Sequence, residues 1–431
     1  MDGGFGGSLA GRAEHAPVAA RLKALAARWW PAWLVAYSLN GFYLYLAALD
    51  AFGAAPRTPV TAAYYAVLAA AMAVPAWQRR TLLADRLRTS GGAARGTLVF
   101  GAALAGWFLL NTALFSDGRL AWRLAALLVL WSLPTALLAL ALRQEELPGV
   151  AHGLVALGLL LVPIELVVAA GASDVFRFTP IAHLDVISAG MVPAIGAVAA
   201  LSLRPGSRNG RLAQLAAFAI LAAATVLPGS RGPVVALVLG AAGVAIVRDR
   251  RTNVPALAAL AVGLAVGSFA GSHIGSLDYL TSAEGEFSTA SIRRQWLEDA
   301  VRAVPDKPLL GHGVGMFEDR TPEADRMGVY GQRIYPHNSL VEAAHSLGAL
   351  GLILYLGFVV SAVVAALRLA LREHRPGRPA IALVLGVGAF AVARTNISGE
   401  IGTDIAMWTA AALAVALSAE PREQVVILRG R

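Results

Sequence analysis

Residues 349–367 read ALGLILYLGFVVSAVVAAL, nineteen consecutive positions without a charged side chain. A helix that crosses a bilayer needs about 20 mostly apolar residues. Comparable runs recur along the chain and predict spans near 31–50, 59–77, 96–115, 120–142, 149–171, 187–203, 211–228, 232–247, 253–272, 338–370, 379–395 and 400–418. The sequence therefore predicts an all-α polytopic membrane protein with about 12 transmembrane helices.

The tenth of these runs, 338–370, is too long for one straight span and contains Gly348 and Gly351. Glycine is a poor helix former, so a break that separates a short first piece from the main helix is predicted here.

Composition agrees with a membrane protein. Of 431 residues, 57% are hydrophobic and only 15% are charged, whereas a soluble domain has about 25% charged residues. The chain has no cysteine, which excludes disulfide scaffolds, thiol nucleophiles and cysteine-ligated metals. The net charge of +9 comes almost entirely from arginine, since Lys23 and Lys307 are the only lysines. Its placement along the chain fits membrane topology, and no nucleic-acid partner is expected.

The basic residues predict the orientation of the chain. With the N-terminus inside, 23 of the 36 basic residues fall in or beside cytoplasmic segments, as the positive-inside rule requires. We therefore expect a multi-pass protein with both termini in the cytoplasm. The expected order is a cytoplasmic segment 1–28, helices 1–9 in 29–272, a periplasmic loop domain 273–337, helices 10–12 in 338–418, and a cytoplasmic tail 419–431.

The loop 273–337 is the only sizeable polar segment, with ten carboxylates and seven basic residues. We expect it to cap the outer face of the bundle, with the function beneath it. Apolar residues at helical spacing within 291–301 predict an amphipathic helix on the surface, its apolar side formed by positions 292, 296, 297, 300 and 301. The glycines of 311–315 predict a turn that packs close to the bundle; no Rossmann strand and helix surround them, which argues against nucleotide binding.

The loop ends at Tyr335-Pro336-His337-Asn338-Ser339, where a helix enters the membrane. Asn338 or Ser339 can cap that helix, and proline keeps His337 outside it. An imidazole at this place either exchanges protons near neutral pH or is an interfacial residue at a helix start. Arg177 and Arg231 also stand out, because short outer loops tend to exclude basic residues.

Four segments together resemble the O-antigen ligase and polymerase superfamily. They are Ser230-Arg231-Gly232, the helix Arg293 to Trp296, the segment Pro308 to Phe317, and His337-Asn338-Ser339, in the family's order within roughly 211–418. The resemblance implies a GT-C-like architecture and a glycosyltransferase at the periplasmic face of the bacterial inner membrane. Such an enzyme moves a glycan from an undecaprenyl-pyrophosphate-linked donor to an acceptor. For an O-antigen ligase the acceptor is lipid A-core, and the reaction belongs to lipopolysaccharide biosynthesis.

The residue types suit that chemistry. Arginine binds phosphate oxygens in bidentate fashion and stays charged, so Arg231 and Arg293 are the first candidates for the pyrophosphate, followed by Arg177 and Arg294. His337 is the candidate catalytic base, in one displacement that inverts the anomeric carbon. The family's loop arginine often lies four residues before the tryptophan, whereas Arg293 lies three before Trp296. Which of Arg293 and Arg294 faces the substrate is therefore open.

No metal and no cofactor are expected, although Glu284 and Glu286 are two loop carboxylates at a spacing that a divalent ion can use. Arg394 is expected to form a structural ion pair with Glu400 or Asp404 between the last two spans. Besides the donor and acceptor, membrane lipids are the expected partners. The alternatives are an O-antigen polymerase or a protein O-oligosaccharyltransferase of the same superfamily, or a lipid-linked glycan transporter that is not an enzyme. The long outer loop breaks the repeat symmetry usual in transporters.

Overall fold

A computed structural model describes residues 29–41, 45–46, 58–171, 186–248, 250–273, 289–317, 336–372, 379–398 and 400–419. Within these ranges the chain is helical and contains no β-strand. The main helices are α1 (29–41), α2 (Thr58–Gln78), α3 (Arg80–Thr89), α4 (Gly92–Phe115), α5 (Arg119–Leu140), α6 (Leu147–Gly171), α7 (Val186–Ser202), α8 (Arg208–Val226), α9 (Arg231–Ala245), α10 (Arg250–His273), α11 (Thr289–Ala303), α12 (Ser339–Arg372), α13 (Pro379–Ser398) and α14 (Ile405–Ser418).

Eight of these helices are long and apolar enough to cross a membrane: α2, α4, α5, α6, α8, α10, α12 and α13. Shorter apolar helices cover 189–202, 231–245 and 405–418, and the predicted first span overlaps α1. The prediction of an all-α polytopic membrane protein is confirmed. The predicted number of twelve spans stays a prediction.

The centre of the bundle is built on close contact between α9 and α13. A Cβ at Gly240 would lie 3.2 Å from both the Gly386 carbonyl oxygen and the Phe390 Cβ, and one at Gly243 would lie 2.6 Å from the Leu385 carbonyl oxygen. Small residues allow membrane helices to bring their backbones together, which supplies the packing that replaces a hydrophobic driving force in lipid. Gly240 faces Phe390, whereas Val244, one turn later, faces Gly386, so the two helices run antiparallel.

The end of the bundle that carries α11 is called the cap face. There the chain of the loop crosses α12 at Gly348, whose φ of 70° and ψ of −170° interrupt the helix. The predicted break therefore lies at Gly348. The loop satisfies the backbone groups that the break leaves without helical partners. His312 N–H donates to the His345 carbonyl at 2.8 Å, and Ala349 N–H donates to the Pro308 carbonyl at 2.8 Å.

Glycine is required on both sides of this crossing. Gly311 has a φ of 76°, and a Cβ there would clash with the Ser346 carbonyl; a Cβ at Gly348 would clash with the Leu309 carbonyl. The glycine run thus packs the loop against the bundle, as its sequence predicts.

The amphipathic helix of the loop is α11, and it packs on the first turn of α12. Trp296 and Ala300 are buried with Phe317, against Val341. The buried side of α11 is narrower than its predicted apolar side, because Val301 is 53% exposed. Trp296 and Ala300 lie one turn apart and face the bundle, whereas Val301 is turned a further 100° around the helix.

At the opposite end of the bundle, a charged contact holds the turn after α5. Arg79 binds Glu146 through both guanidinium nitrogens, at 2.7 and 2.6 Å, and Arg79 Nη1 donates to the Ala141 carbonyl at 3.1 Å. Arg86 of α3, a helix that the apolar pattern does not predict, is buried and donates to the Leu142 carbonyl at 2.6 Å. These arginines satisfy carbonyls that the end of α5 leaves open.

Candidate active site

His337 occupies an unusual backbone conformation at the start of α12. Its φ is 54°, and it is the one non-glycine residue with a positive φ in the part of the chain that the structure describes. Left-handed backbone is unfavourable for residues with a Cβ, so neighbouring contacts must stabilise it. The conformation ends the extended chain after Pro336 and turns His337 out of the helix.

Asn338 is the N-cap of α12; the sequence alone allowed either Asn338 or Ser339 in this role. Its Oδ1 accepts hydrogen bonds from the backbone N–H groups of Leu340 at 3.0 Å and Val341 at 3.1 Å, as an N-cap does. Asn338 Nδ2 also donates to the Asn396 carbonyl at 3.3 Å. Next to it, the buried Ser339 hydroxyl donates to the Thr395 carbonyl at 3.0 Å. The end of α13 therefore holds the residues that follow His337.

The imidazole of His337 stacks on the indole of Trp296. The ring centroids are 5.5 Å apart and the planes differ by 12°, a distance within the range of favourable aromatic pairs. Trp296 is 3% exposed, so the histidine lies against a fixed surface. This contact joins the loop helix α11 to the beginning of α12.

The two loop arginines occupy different sides of α11. Arg293 is three residues before Trp296, about 60° away around the helix, whereas Arg294 is about 160° away. Arg294 is exposed and forms an i,i+4 ion pair with Glu298 at 2.9 Å. Arg293 is half-buried. The helix thus brings Arg293, and not Arg294, to the side that carries Trp296 and His337.

Arg231 is the first residue of α9 and is exposed. Its level follows from the contact of Gly240 with Gly386 and Phe390. Arg231 lies nine residues before Gly240, which is about 14 Å along α9. Because α13 runs in the opposite direction, moving the same distance toward the C-terminus of α13 from the contact reaches its last turn. That turn holds Asn396, which binds Asn338. Arg231 and His337 therefore lie at the same end of the bundle, the cap face.

Other sequence-based candidates lie outside the described residues or have structural partners. Arg177, Glu284 and Glu286 fall in ranges that are not described. His312 and His345 are both buried, and their ring centroids stack 4.7 Å apart. His312 Nε2 also hydrogen-bonds the Ala303 carbonyl at 2.7 Å.

A buried polar cluster lies just beneath the beginning of α12. The Arg394 guanidinium contacts Asp404 at 3.1 Å, which confirms the expected ion pair with Asp404. Asp404 caps α14 by accepting from Met407 N–H, and it accepts a hydrogen bond from the Thr395 hydroxyl. A small cavity among these groups is lined by Leu104, Ser339, Tyr355, Phe358, Thr395, Ile401, Asp404, Met407 and Trp408.

Glu342, on the first turns of α12, is buried and accepts the Ile401 N–H at 3.1 Å. It therefore ties α12 to the turn before α14. Together with the Asp404 contacts, this fixes the last two helices against the segment that holds His337.

Comparison with known proteins bears on this end of the molecule. Residues 216–356 match the family model described as O-antigen ligase. This confirms the predicted resemblance. The matched segment is about a third of the chain and contains Arg231, Arg293, Arg294 and His337. Members of the family that this model describes are enzymes of the glycosyltransferase type, which act on a lipid-linked glycan and a lipid acceptor.

The solved structures that are similar to this chain include one from work titled "Structural coordination of polymerization and crosslinking by a peptidoglycan synthase complex". The alignment has a TM-score of 0.42 and 18% sequence identity, and covers 76% of this chain and 98% of that chain. Comparison with curated proteins gives no match.

Sequence reasoning did not find the contacts that hold His337. The stack on Trp296 joins residues 41 positions apart, and Thr395 and Asn396 act through their backbone carbonyls. The one available signal is the polar triplet Arg394-Thr395-Asn396 at the end of an otherwise apolar span.

Proposed function

We propose that the protein is an O-antigen ligase. It transfers O-antigen glycan from undecaprenyl pyrophosphate to lipid A-core at the periplasmic face of the bacterial inner membrane, with inversion and without a metal. The observation that carries the proposal is the stack of His337 on Trp296, with Arg293 on the same side of α11, within the segment that matches O-antigen ligases.

On the donor side, the enzyme must stabilise a pyrophosphate as it leaves the sugar. Arg293 of α11 and Arg231 of α9 both belong to the cap face and supply guanidinium groups suited to phosphate oxygens. Arg231 is also the first residue of its helix, where the helix dipole attracts negative charge. Arg177 remains a further candidate for this role.

On the acceptor side, a sugar hydroxyl must lose a proton as it attacks the anomeric carbon. His337 is the proposed base. Its ring is fixed on one side by Trp296, and its backbone is fixed by the cap of α12. A base held in place in this way is ready to accept the proton without reorganisation.

The proposal is tested with purified protein, lipid-linked O-glycan and lipid A-core in the presence of a chelator, following the acceptor's mass on a gel. We expect the wild type to shift the acceptor, and His337→Ala and Arg231→Ala to lose the shift while remaining folded. Arg302→Ala is the control, because Arg302 belongs to the same loop helix but its side chain is 74% exposed and paired with Glu298 and Asp299.

Omission of lipid A-core separates the alternatives. A polymerase lengthens the lipid-linked glycan itself, and a protein O-oligosaccharyltransferase requires a Ser or Thr acceptor. A transporter gives no covalent product with any acceptor. A wild-type reaction that stops in chelator and returns with magnesium or manganese would contradict the metal-free mechanism.

A further inference from the structure

The turn Lys307–Leu310 at the end of the loop helix exposes large apolar side chains. Leu309 is 70% exposed and Leu310 is 44% exposed, and Val301 on the preceding turn of α11 is also exposed. Single exposed apolar residues are normal at a protein surface. Neighbouring ones in a polar loop indicate a contact with something apolar.

Hydrogen bonds fix the depth of this turn relative to the bundle. The Leu310 carbonyl accepts from Asn111 Nδ2 at 2.8 Å, and the Leu309 carbonyl accepts from Leu350 N–H at 3.4 Å. Asn111 lies one turn before the end of α4 at Phe115. The turn therefore lies beside the last turns of a spanning helix, and not above them.

The length of α4 gives the distance of Asn111 from the centre of the bilayer. The helix has 24 residues, about 36 Å, and Asn111 is about 11 Å from its midpoint. The hydrocarbon core of a bilayer extends about 15 Å from its centre. A centred α4 thus places Asn111, and with it Leu310, within the hydrocarbon of one leaflet, and tilt places it deeper.

The surface around the turn faces lipid as well. Leu110 and Leu114 of α4 are exposed, and so are Leu350 and Ile353 of α12. Both helices are long and apolar enough to span the membrane. Leu309 and Leu310 extend this lipid-facing surface, because their backbone is bonded to these two helices.

We propose that Lys307–Leu310 is a membrane anchor of the loop, whose leucines insert into the phospholipid leaflet at the cap face. The exposed Lys307 fits this placement, since a lysine at the edge of an inserted segment can extend its ammonium to the phosphate layer. The partner is the bilayer itself. The anchor holds α11 at the level of the lipid head groups, and it does not depend on which reaction the protein catalyses.

The absence of cysteine from the chain allows a direct test. Single cysteines are introduced as Leu309→Cys and Leu310→Cys, labelled with an environment-sensitive fluorophore, and the full chain is placed in lipid nanodiscs. Ile353→Cys on α12 is the lipid-exposed control, and Arg302→Cys on α11 is the water-exposed control. Thermal unfolding of each variant shows that it is folded.

We expect labels at 309 and 310 to emit at shorter wavelength than the label at 302. They should also lose intensity with nitroxide-bearing lipids to the same extent as the label at 353, and resist aqueous iodide. Quenching by iodide equal to that at 302 would overturn the proposal. Protection from both quenchers would overturn it too, because it would indicate that protein covers the turn.

Discussion

At the scale of the residue, His337 has an unfavourable backbone conformation at the start of α12, where its ring stacks on Trp296. A left-handed φ costs a residue with a Cβ about 1–2 kcal/mol, and the contacts of Asn338 and Ser339 with α13 offset that cost. Strain of this kind persists where the surrounding structure determines it, often at functional sites. The side chain at 337 is therefore expected to be present for function and not for stability.

That expectation can be measured by comparing His337→Gly with His337→Ala. Both variants lose the stack on Trp296, but glycine accepts a φ of 54° and alanine does not. We expect the glycine variant to be more stable than the alanine variant by about 1 kcal/mol, and both to be inactive in glycan transfer. Thermal midpoints in the same detergent provide the comparison.

An alanine variant equal to or more stable than the glycine variant would show that residue 337 is unstrained. An active glycine variant would remove the imidazole from the mechanism while leaving the backbone argument in place.

Much of this residue-level picture could be predicted from sequence, and part of it could not. Pro336 and Asn338 define the start of the helix locally, so residues 335–339 alone are enough to predict that His337 lies outside the helix. The ring that fixes the imidazole belongs to Trp296, and its contact depends on how a long loop folds back. Local spacing carries no information about that contact.

At the scale of the element, α11 presents two adjacent arginines to different surroundings. We expect Arg293→Ala to lower the transfer rate by about a hundredfold or more, the usual effect of removing one group that stabilises developing charge. Arg294→Ala should stay within about twofold, because an exposed i,i+4 pair contributes little. Rates with saturating donor, normalised to folded protein, provide the measurement.

The result most damaging to the proposed pyrophosphate site is the reverse order, with Arg294 essential and Arg293 dispensable. Equal, small effects of both substitutions would remove α11 from donor binding.

The crossing of the loop over α12 makes a second prediction about an element. Gly348→Ala introduces a Cβ where φ is 70° and the Leu309 carbonyl already lies. We expect it to lower the thermal midpoint, with a loss of about 2 kcal/mol or more in the free energy of unfolding. Strained backbone conformations have costs of this order. Gly388→Ala is the matched control.

A Cβ at Gly388 meets no atom within 4 Å, and the residue lies inside α13. Alanine there should be neutral or stabilising by about 0.5–1 kcal/mol. If both variants behaved alike, the clash at Gly348 would not be the cause.

The helices themselves could be predicted from apolar runs, because a lipid environment demands long apolar segments. The apolar runs did not predict two features correctly, the helix α3 and the buried side of α11, and both helices are short and amphipathic. α3 is ten residues long and basic, and the buried side of α11 is narrower than its apolar pattern. For such helices, tertiary contacts decide which side is buried.

At the scale of the whole molecule, charged contacts secure both ends of the bundle. Glu146→Ala would leave Arg79 without its bidentate carboxylate, and breaking a buried pair costs about 3–5 kcal/mol. We expect an effect near the lower end of that range, since the Arg79 side chain is 23% exposed. The transfer rate per folded molecule should not change, because the contact lies opposite the cap face.

Glu298→Ala is the control for this prediction, because it removes two exposed pairs, with Arg294 and Arg302, and no more than about 1 kcal/mol is expected. A midpoint for Glu146→Ala that matched that of Glu298→Ala would mean that the Arg79 contact is no more than a surface pair.

The crossing at Gly348 also has a consequence for folding. Residues on both sides of the break complete their backbone hydrogen bonds with Pro308–Gly313, a part of the chain that precedes α12 in sequence. During folding, α12 therefore cannot reach its native bent form until the preceding loop has docked against it. Completion of the bend is thus a late step of folding, because it requires both the loop and the apolar run that follows it in sequence.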